Sequence, residues 1–235
     1  MLAKLEDISH DITGYRFNET DSLFSFLKIT ESHWSVNSAE LEFEEIIERE
    51  MSGKDFSANP KLTIVSGIPY SGKSTFVRAN SACFDDCVDI AFDSLMRKLS
   101  FYHQLVSKDS EVAFNKCELI ARVLGYELIR RSATNQRNIV LEHSSTPEQH
   151  LQLYKALQSD FGYQIDFIYI KCSLKEALHR AEKENMKRDG ERYTPHEYIE
   201  QRYHLLQEML VKYQQNFTIK VVNQNELDHY ACHSR

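Results

Sequence analysis

Apolar residues along the chain fall into five short runs separated by stretches of helical spacing. Leu62-Thr63-Ile64-Val65-Ser66 is β-branched and apolar at nearly every position, the pattern of a strand covered on both faces. Similar runs recur at Cys87–Ala91, Asn138–Glu142, Gln164–Lys171 and Phe217–Val222. Between them the period lengthens. Thr75–Ala79 continues as a helix after the first strand, and Leu95, Met96 and Leu99 mark another after the second. Val112, Cys117, Ile120, Leu124 and Leu128 share a helix face over 111–131. Thr146-Pro147-Glu148-Gln149 reads as a helix start with proline at its first position. Ser173-Leu174-Lys175-Glu176 is a capping box opening a helix to about Arg188, stopped by Asp189-Gly190. Thr194-Pro195-His196-Glu197 starts the next helix, which runs to about Gln214. Strands alternating with helices predict an α/β fold, a five-stranded and mostly parallel sheet flanked by helices on both faces.

Residues 1–58 have a different character. They predict an acidic helical segment packed on or capping the core, whereas 59–235 form the α/β domain. Asn37 followed by Glu40 is a capping-box-like start. Leu41, Ile46 and Ile47 then share a rough stripe, with Glu42, Glu44, Glu45 and Glu48 toward water or toward a partner. Ser52-Gly53 ends this helix, and Asn59-Pro60 links it to the first strand.

Charge sharpens that division. Residues 1–60 hold 13 acids and 5 bases, and the remainder of the 235-residue chain holds 22 acids and 23 bases. Neither part is the basic surface that a sequence-independent nucleic-acid binder needs, so no nucleic-acid partner is expected. No run approaches the ~20 apolar residues of a membrane span, and Met1–His10 contains Glu6 and Asp7 rather than an apolar leader. A cytoplasmic protein is expected, although an effector secreted without a cleaved signal has the same composition. The five cysteines are scattered. Cys83 and Cys87 lack a second pair at zinc-ligand spacing, so reduced core thiols are the expectation.

The chemistry sits directly after the first strand. Gly67, Ile68, Pro69, Tyr70, Ser71, Gly72, Lys73 and Ser74 match G-x-x-x-x-G-K-[ST], with Thr75 continuing into a helix. In a strand–loop–helix setting, backbone N–H groups and the helix dipole converge on a polyphosphate. Lys73 is placed to reach the β- and γ-phosphates of ATP or GTP, and the Ser74 hydroxyl to sit on Mg²⁺. In a parallel sheet the ligand lies beyond the carboxyl ends of the strands. That rule gathers three further groups. Asp93 follows the second strand, either as the base that takes a hydroxyl proton or as a helix N-cap. Glu142 ends the third, to order a metal-bound water or hold an acceptor. Arg180 and Arg188 lie two turns apart on one helix face, and Arg192 follows the Asp189-Gly190 break. These arginines either close on the transferred phosphoryl or pair with Glu182, Glu184 and Glu191 on a surface helix.

Over roughly residues 38–205 the chain resembles the zeta toxin family of P-loop kinases. The likeness runs through the acidic helix Glu40–Glu48, the loop Gly67–Thr75, the strand and carboxylate Asp89–Ser94, and Val140-Leu141-Glu142. It ends with Arg180 and Arg192-Tyr193-Thr194-Pro195. It implies that Asp93 is the base, that Glu142 holds substrate, and that Arg180 and Arg192 handle phosphate. It further implies ATP with Mg²⁺, and a sugar hydroxyl of a UDP-N-acetylglucosamine-type nucleotide, or a dinucleotide such as NAD, as acceptor. An antitoxin-like protein partner is a third implication. The chain departs from the family pattern at Tyr70, where glycine is usual, and at His143-Ser144-Ser145, where Gly-Thr usually follows the glutamate; the His-Pro that often follows the base is absent. Two other readings stay open: a polynucleotide or small-metabolite kinase, and a protein that binds nucleotide without transfer.

Overall fold

The computed structural model describes residues 2–14, 36–186 and 194–228. Five strands, β1 (Lys61–Ser66), β2 (Val88–Ala91), β3 (Ile139–His143), β4 (Gln164–Ile170) and β5 (Ile219–Val222), form one sheet in the order β2-β3-β1-β4-β5. Every neighbouring pair is parallel. The described helices are α1 (Leu2–Thr13), α2 (Val36–Met51), α3 (Lys73–Ala79), α4 (Phe92–Lys98) and α5 (Ser100–Val106). They continue with α6 (Ser110–Thr134), α7 (Gln149–Phe161), α8 (Leu174–Asn185) and α9 (His196–Gln214).

Alternation along the strands splits the core in two. Leu62, Ile64, Ile90, Leu141 and Phe167 face a thick layer built around α6. Val65, Val140, Ile168 and Val222 face Phe76 and Val77 of α3 and the nearby Phe84. Both faces are covered, which is why the strand runs are apolar throughout. Asp109 caps α6 by accepting the N–H groups of Glu111 and Val112 at 2.9 and 3.0 Å. Midway along α6, Gly125 makes room for a ring: a Cβ there would lie 2.2 Å from Phe92 Cε1.

The amino-terminal helices join the thicker layer. Leu5 and Ile8 of α1 and Phe43, Ile46 and Ile47 of α2 belong to the same buried cluster as the sheet. Leu41, expected on the apolar stripe, is instead 65% exposed. Two glutamates expected to face water or a partner bind the core. Glu44 holds Arg131 through bonds of 2.5 and 2.7 Å, and Glu42 accepts the backbone N–H and hydroxyl of Ser100 at 2.6 and 3.0 Å. Arg130 and Arg131 both donate to Glu127, a carboxylate only 4% exposed. Two guanidiniums offset the cost of burying it.

The strand ends are level where the site will form. Val65 pairs with Glu142, and Glu142 with Ala91, so the loops after β1, β3 and β2 leave the sheet side by side. At the opposite end Asn138 ties the same three strands. Its Oδ1 accepts the Lys61 N–H at 2.9 Å, its Nδ2 donates to Asp86 at 2.8 Å, and its carbonyl accepts the Val88 N–H at 2.8 Å.

Some local expectations differ from what forms. The short helix α5 has no counterpart in the sequence pattern, and Asn37 lies inside α2 rather than capping it. Pro147 belongs to a turn, and α7 begins at Gln149. The N–H groups of His150 and Leu151 bond the carbonyls three residues back, at 3.1 and 3.0 Å, which tightens the approach to the helix. Cys87, Cys117 and Cys172 are buried free thiols, whereas Cys83 departs from expectation and is disulfide-bonded. No described helix is long and apolar enough to cross a membrane.

Candidate active site

The motif from Gly67 to Ser74 leaves β1 and runs into α3, the strand–loop–helix setting it requires. Both of its glycines are dictated by space and backbone. A Cβ on Gly67 would stand 2.5 Å from Ser71 Oγ, and Gly72 has φ +100°. Tyr70 also has positive φ, 61°, a left-handed conformation costing an L-residue about 1–2 kcal/mol. Its ring packs against the main core cluster, and its hydroxyl donates to Thr194 Oγ1 at 3.4 Å. The Ser71 N–H closes a turn onto the Ile68 carbonyl at 3.1 Å. Behind the turn, Gln224 Nε2 donates to the Ser71 and Lys171 carbonyls at 3.0 and 2.6 Å.

Lys73 Nζ lies within the loop and donates to the carbonyls of Gly67 and Ile68, both at 2.9 Å. Ser74 Oγ donates to Glu142 Oε2 at 2.7 Å. Glu142 is 8% exposed. Burial raises its pKa above the ordinary value; the Ser74 hydrogen bond opposes this, Asp89 adds to it, Lys73 opposes it and Asp93 adds to it. Burial likewise raises Asp89, with Lys98 opposing. Oxygen donors converge here on the foot of the phosphate loop, the hard-ligand chemistry that suits Mg²⁺. Among the described residues no group of three or more His, Cys, Asp or Glu side chains could hold a metal by itself. Any Mg²⁺ here would rest on the Ser74 hydroxyl, nucleotide oxygens and water.

Lys73, Ser74, Glu142, Asp93 and Arg180 all line one cleft of about 930 Å³. Asp93 sits exposed in the first turn of α4. That helix starts at Phe92 with Ala91 as its N-cap and no side-chain cap, so Asp93 does not occupy the N-cap position that sequence allowed. Arg180 is anchored twice: Nε donates to Glu176 Oε1 at 2.9 Å and Nη1 to the Tyr70 carbonyl at 3.1 Å. A helix pairing forms, but with Glu176 one turn earlier rather than with the expected Glu182 or Glu184, and a bond to the phosphate loop is made as well. Arg188 and Arg192 lie outside the described residues.

The far wall of the cleft comes from residues that sequence reasoning passed over. Phe114 and Glu118 of α6 and Tyr198 of α9 line it beside Asp93. Tyr198 stands edge-on to Phe114, with ring centroids 5.5 Å apart, and its hydroxyl donates to Glu118 at 3.2 Å. Arg122 pairs with Glu118 at 3.2 Å, and the Arg202 guanidinium stacks 4.6 Å over the Tyr198 ring. The i, i+4 spacing of Phe114, Glu118 and Arg122 marks a common helix face, but nothing local points to Tyr198, which is 80 residues from Glu118. His143 carries the wall toward β3. Its Nδ1 accepts the Ser145 N–H at 2.9 Å, and burial, with His150, Arg122, Arg202 and Lys73 adding to it, keeps the ring neutral.

Comparison with known proteins places this geometry. The Zeta toxin family profile matches residues 45–232. Among solved structures the fold is similar to that of the PezAT chromosomal toxin–antitoxin system of Streptococcus pneumoniae, with TM-score 0.66 and 18% identity over 79% of each chain. It is also similar to the AvrRxo1-ORF1:-ORF2 complex with ATP (TM-score 0.59, 12% identity) and to the native complex of that pair (0.60, 13%). Each of those matches covers 92% of this chain and 72% of the other. No curated protein sequence matches. The structural likeness establishes a P-loop kinase fold. The family match spans most of the chain and takes in every candidate site residue, so this protein belongs to the zeta toxin family.

Proposed function

We propose that this protein is a zeta-toxin-like kinase moving the γ-phosphate of ATP to a hydroxyl of a small molecule. The acceptor class we favour is a nucleotide-sugar of the UDP-N-acetylglucosamine type, or a dinucleotide. One observation carries the reading. The Ser74–Glu142 bond of 2.7 Å joins the phosphate loop to a cleft that also holds Lys73 and Asp93. Phosphoryl transfer asks a protein for charge neutralisation, alignment and a proton acceptor, and these residues provide each.

In this reading the amides of Gly67–Thr75 and Lys73 hold the phosphates. Ser74 would hold Mg²⁺, which when bound would supply neutralisation of the polyphosphate charge. Asp93 takes the proton from the acceptor hydroxyl as its oxygen bonds to the γ-phosphorus and the bond to the β-phosphate oxygen breaks. Glu142 orients the acceptor, and Arg180, with Arg192, meets the charge on the transferred group. The ATP complex among the similar structures supports ATP over GTP as donor. The toxin–antitoxin system among them supports an antitoxin-like protein as partner. We read the activity as cytoplasmic, within 59–235, with 1–58 as its helical flank.

The deciding experiment is single-turnover incubation with γ-labelled ATP and UDP-N-acetylglucosamine, followed by a metabolite extract. Label on a small molecule, lost in Asp93→Asn, is the expected result. Tight ATP binding with no transfer to any acceptor would make the protein a nucleotide-dependent binding module instead.

A further inference from the structure

Resting on that kinase reading, we propose that Tyr70 is a positioning residue that fastens Arg180 to the phosphate loop. Among the described residues the Arg180 guanidinium has two hydrogen-bond partners. Glu176 lies on the same helix and is 46% exposed, so water competes with it. Among the described residues, the Tyr70 carbonyl is the hydrogen bond that ties Arg180 to the loop, at 3.1 Å. A guanidinium carries five N–H donors in a rigid fork, so two anchors aim the remaining donors along with the group.

The direction of that carbonyl follows from the backbone at Tyr70. With φ at 61°, the residue holds a conformation that glycine adopts freely and tyrosine does not. It is kept there by its side chain together with the Ser71 N–H, which shares that carbonyl's peptide plane and bonds the Ile68 carbonyl at 3.1 Å. The ring packs on the core cluster, and the hydroxyl reaches Thr194, just before α9. One residue therefore binds the loop to α8 through its carbonyl and to the approach to α9 through its phenol. Glycine would relieve the strain and release the carbonyl to turn away. The loop would still wrap phosphate, but Arg180 would lose its fixed aim. Strain held at such a point is what an alignment device requires.

The test is ADP release from Mg²⁺-ATP, with and without UDP-N-acetylglucosamine, across a mutant cycle. Tyr70→Gly is expected to lower kcat about tenfold, leave KM for ATP within about twofold, and keep or raise the unfolding temperature. Tyr70→Phe, which retains the ring, restores most of that loss. In an Arg180→Ala background, Tyr70→Gly should cause no further drop, because the group it aims is gone. Equal losses in both backgrounds, or an unchanged kcat in the single variant, overturn the proposal while leaving the kinase reading intact. A wild-type protein that neither hydrolyses nor transfers the γ-phosphate overturns both. Should Tyr70→Gly fail to fold, Tyr70→Asn, which tolerates positive φ without the ring, gives the same readout.

Discussion

The Ser74 hydroxyl donates to Glu142 Oε2 across 2.7 Å, joining the last residue of the phosphate loop to the end of β3. Glu142 titrates above the ordinary glutamate value of 4.5, chiefly because it is buried. A carboxyl raised on folding holds its proton in the native state where the unfolded chain has released it. Its contribution to stability therefore declines as pH rises through the folded value. Glu142→Gln, neutral at every pH, should match the wild type in thermal unfolding below pH 4.5 and gain on it as pH rises above that. A difference that stays constant from pH 4 to 9 would contradict the assignment.

Lys73 offers its charge from within the loop, between the Gly67 and Ile68 carbonyls. Lys73→Ala should cost about 10²–10³ in turnover, the range for deleting one preorganised donor, with an unchanged circular dichroism spectrum. Loss of helix signal would reassign the lysine to holding the loop together.

Asp93 lies in the first turn of α4, which starts ahead of it and does not use it as an N-cap. Asp93→Asn keeps the shape and removes the proposed proton acceptor. Turnover should fall by about 10²–10⁴, while ATP affinity measured by calorimetry stays within about twofold. Near-normal turnover would take Asp93 out of the chemistry.

Gly125 faces the Phe92 ring so closely that a methyl group would sit 2.2 Å from Cε1. Gly125→Ala should destabilise the fold by about 1–3 kcal/mol, the usual cost of overpacking, read as a lower unfolding temperature. Phe92 also lines the cleft and adjoins Asp93, so turnover should fall below what stability alone explains. An alanine variant as stable as the wild type would show that α4 and α6 can part without penalty.

Legibility in the sequence followed the range of the interactions. The five strands and the phosphate loop rest on contiguous residues, so β-branched runs and a fixed spacing reveal them. Helix α5 does not. Ser100–Val106 is only seven residues long, too short for the spacing of Phe101, Tyr102 and Leu105 to stand out, and the N–H of Ser100 finds its acceptor in Glu42, 58 residues away. Gly125 reads as a weak point in a helix until Phe92 is seen against it. Asp93 and Glu142 could be named because one closely follows a strand and the other lies at the end of one, whereas Glu118 and Tyr198 meet only when α6 and α9 come together. Tyr70 could be spotted as an oddity in the loop, but its grip on Arg180 depends on a helix 110 residues later.

Asn138 has a reach beyond its own surroundings. Ile139, Val140 and Leu141 are buried on both faces, so greasiness alone does not tell β3 from a copy of itself slid by one place. The amide of Asn138 indexes that strand, like a detent on a sliding rule, against Lys61 and Asp86. Swapping it for a residue without both a donor and an acceptor would let β3 creep. The fault would surface at the opposite rim of the sheet, where Glu142 would no longer stand opposite Ser74. Catalysis would fail with every reactive group still in the chain, from a change that touches none of them.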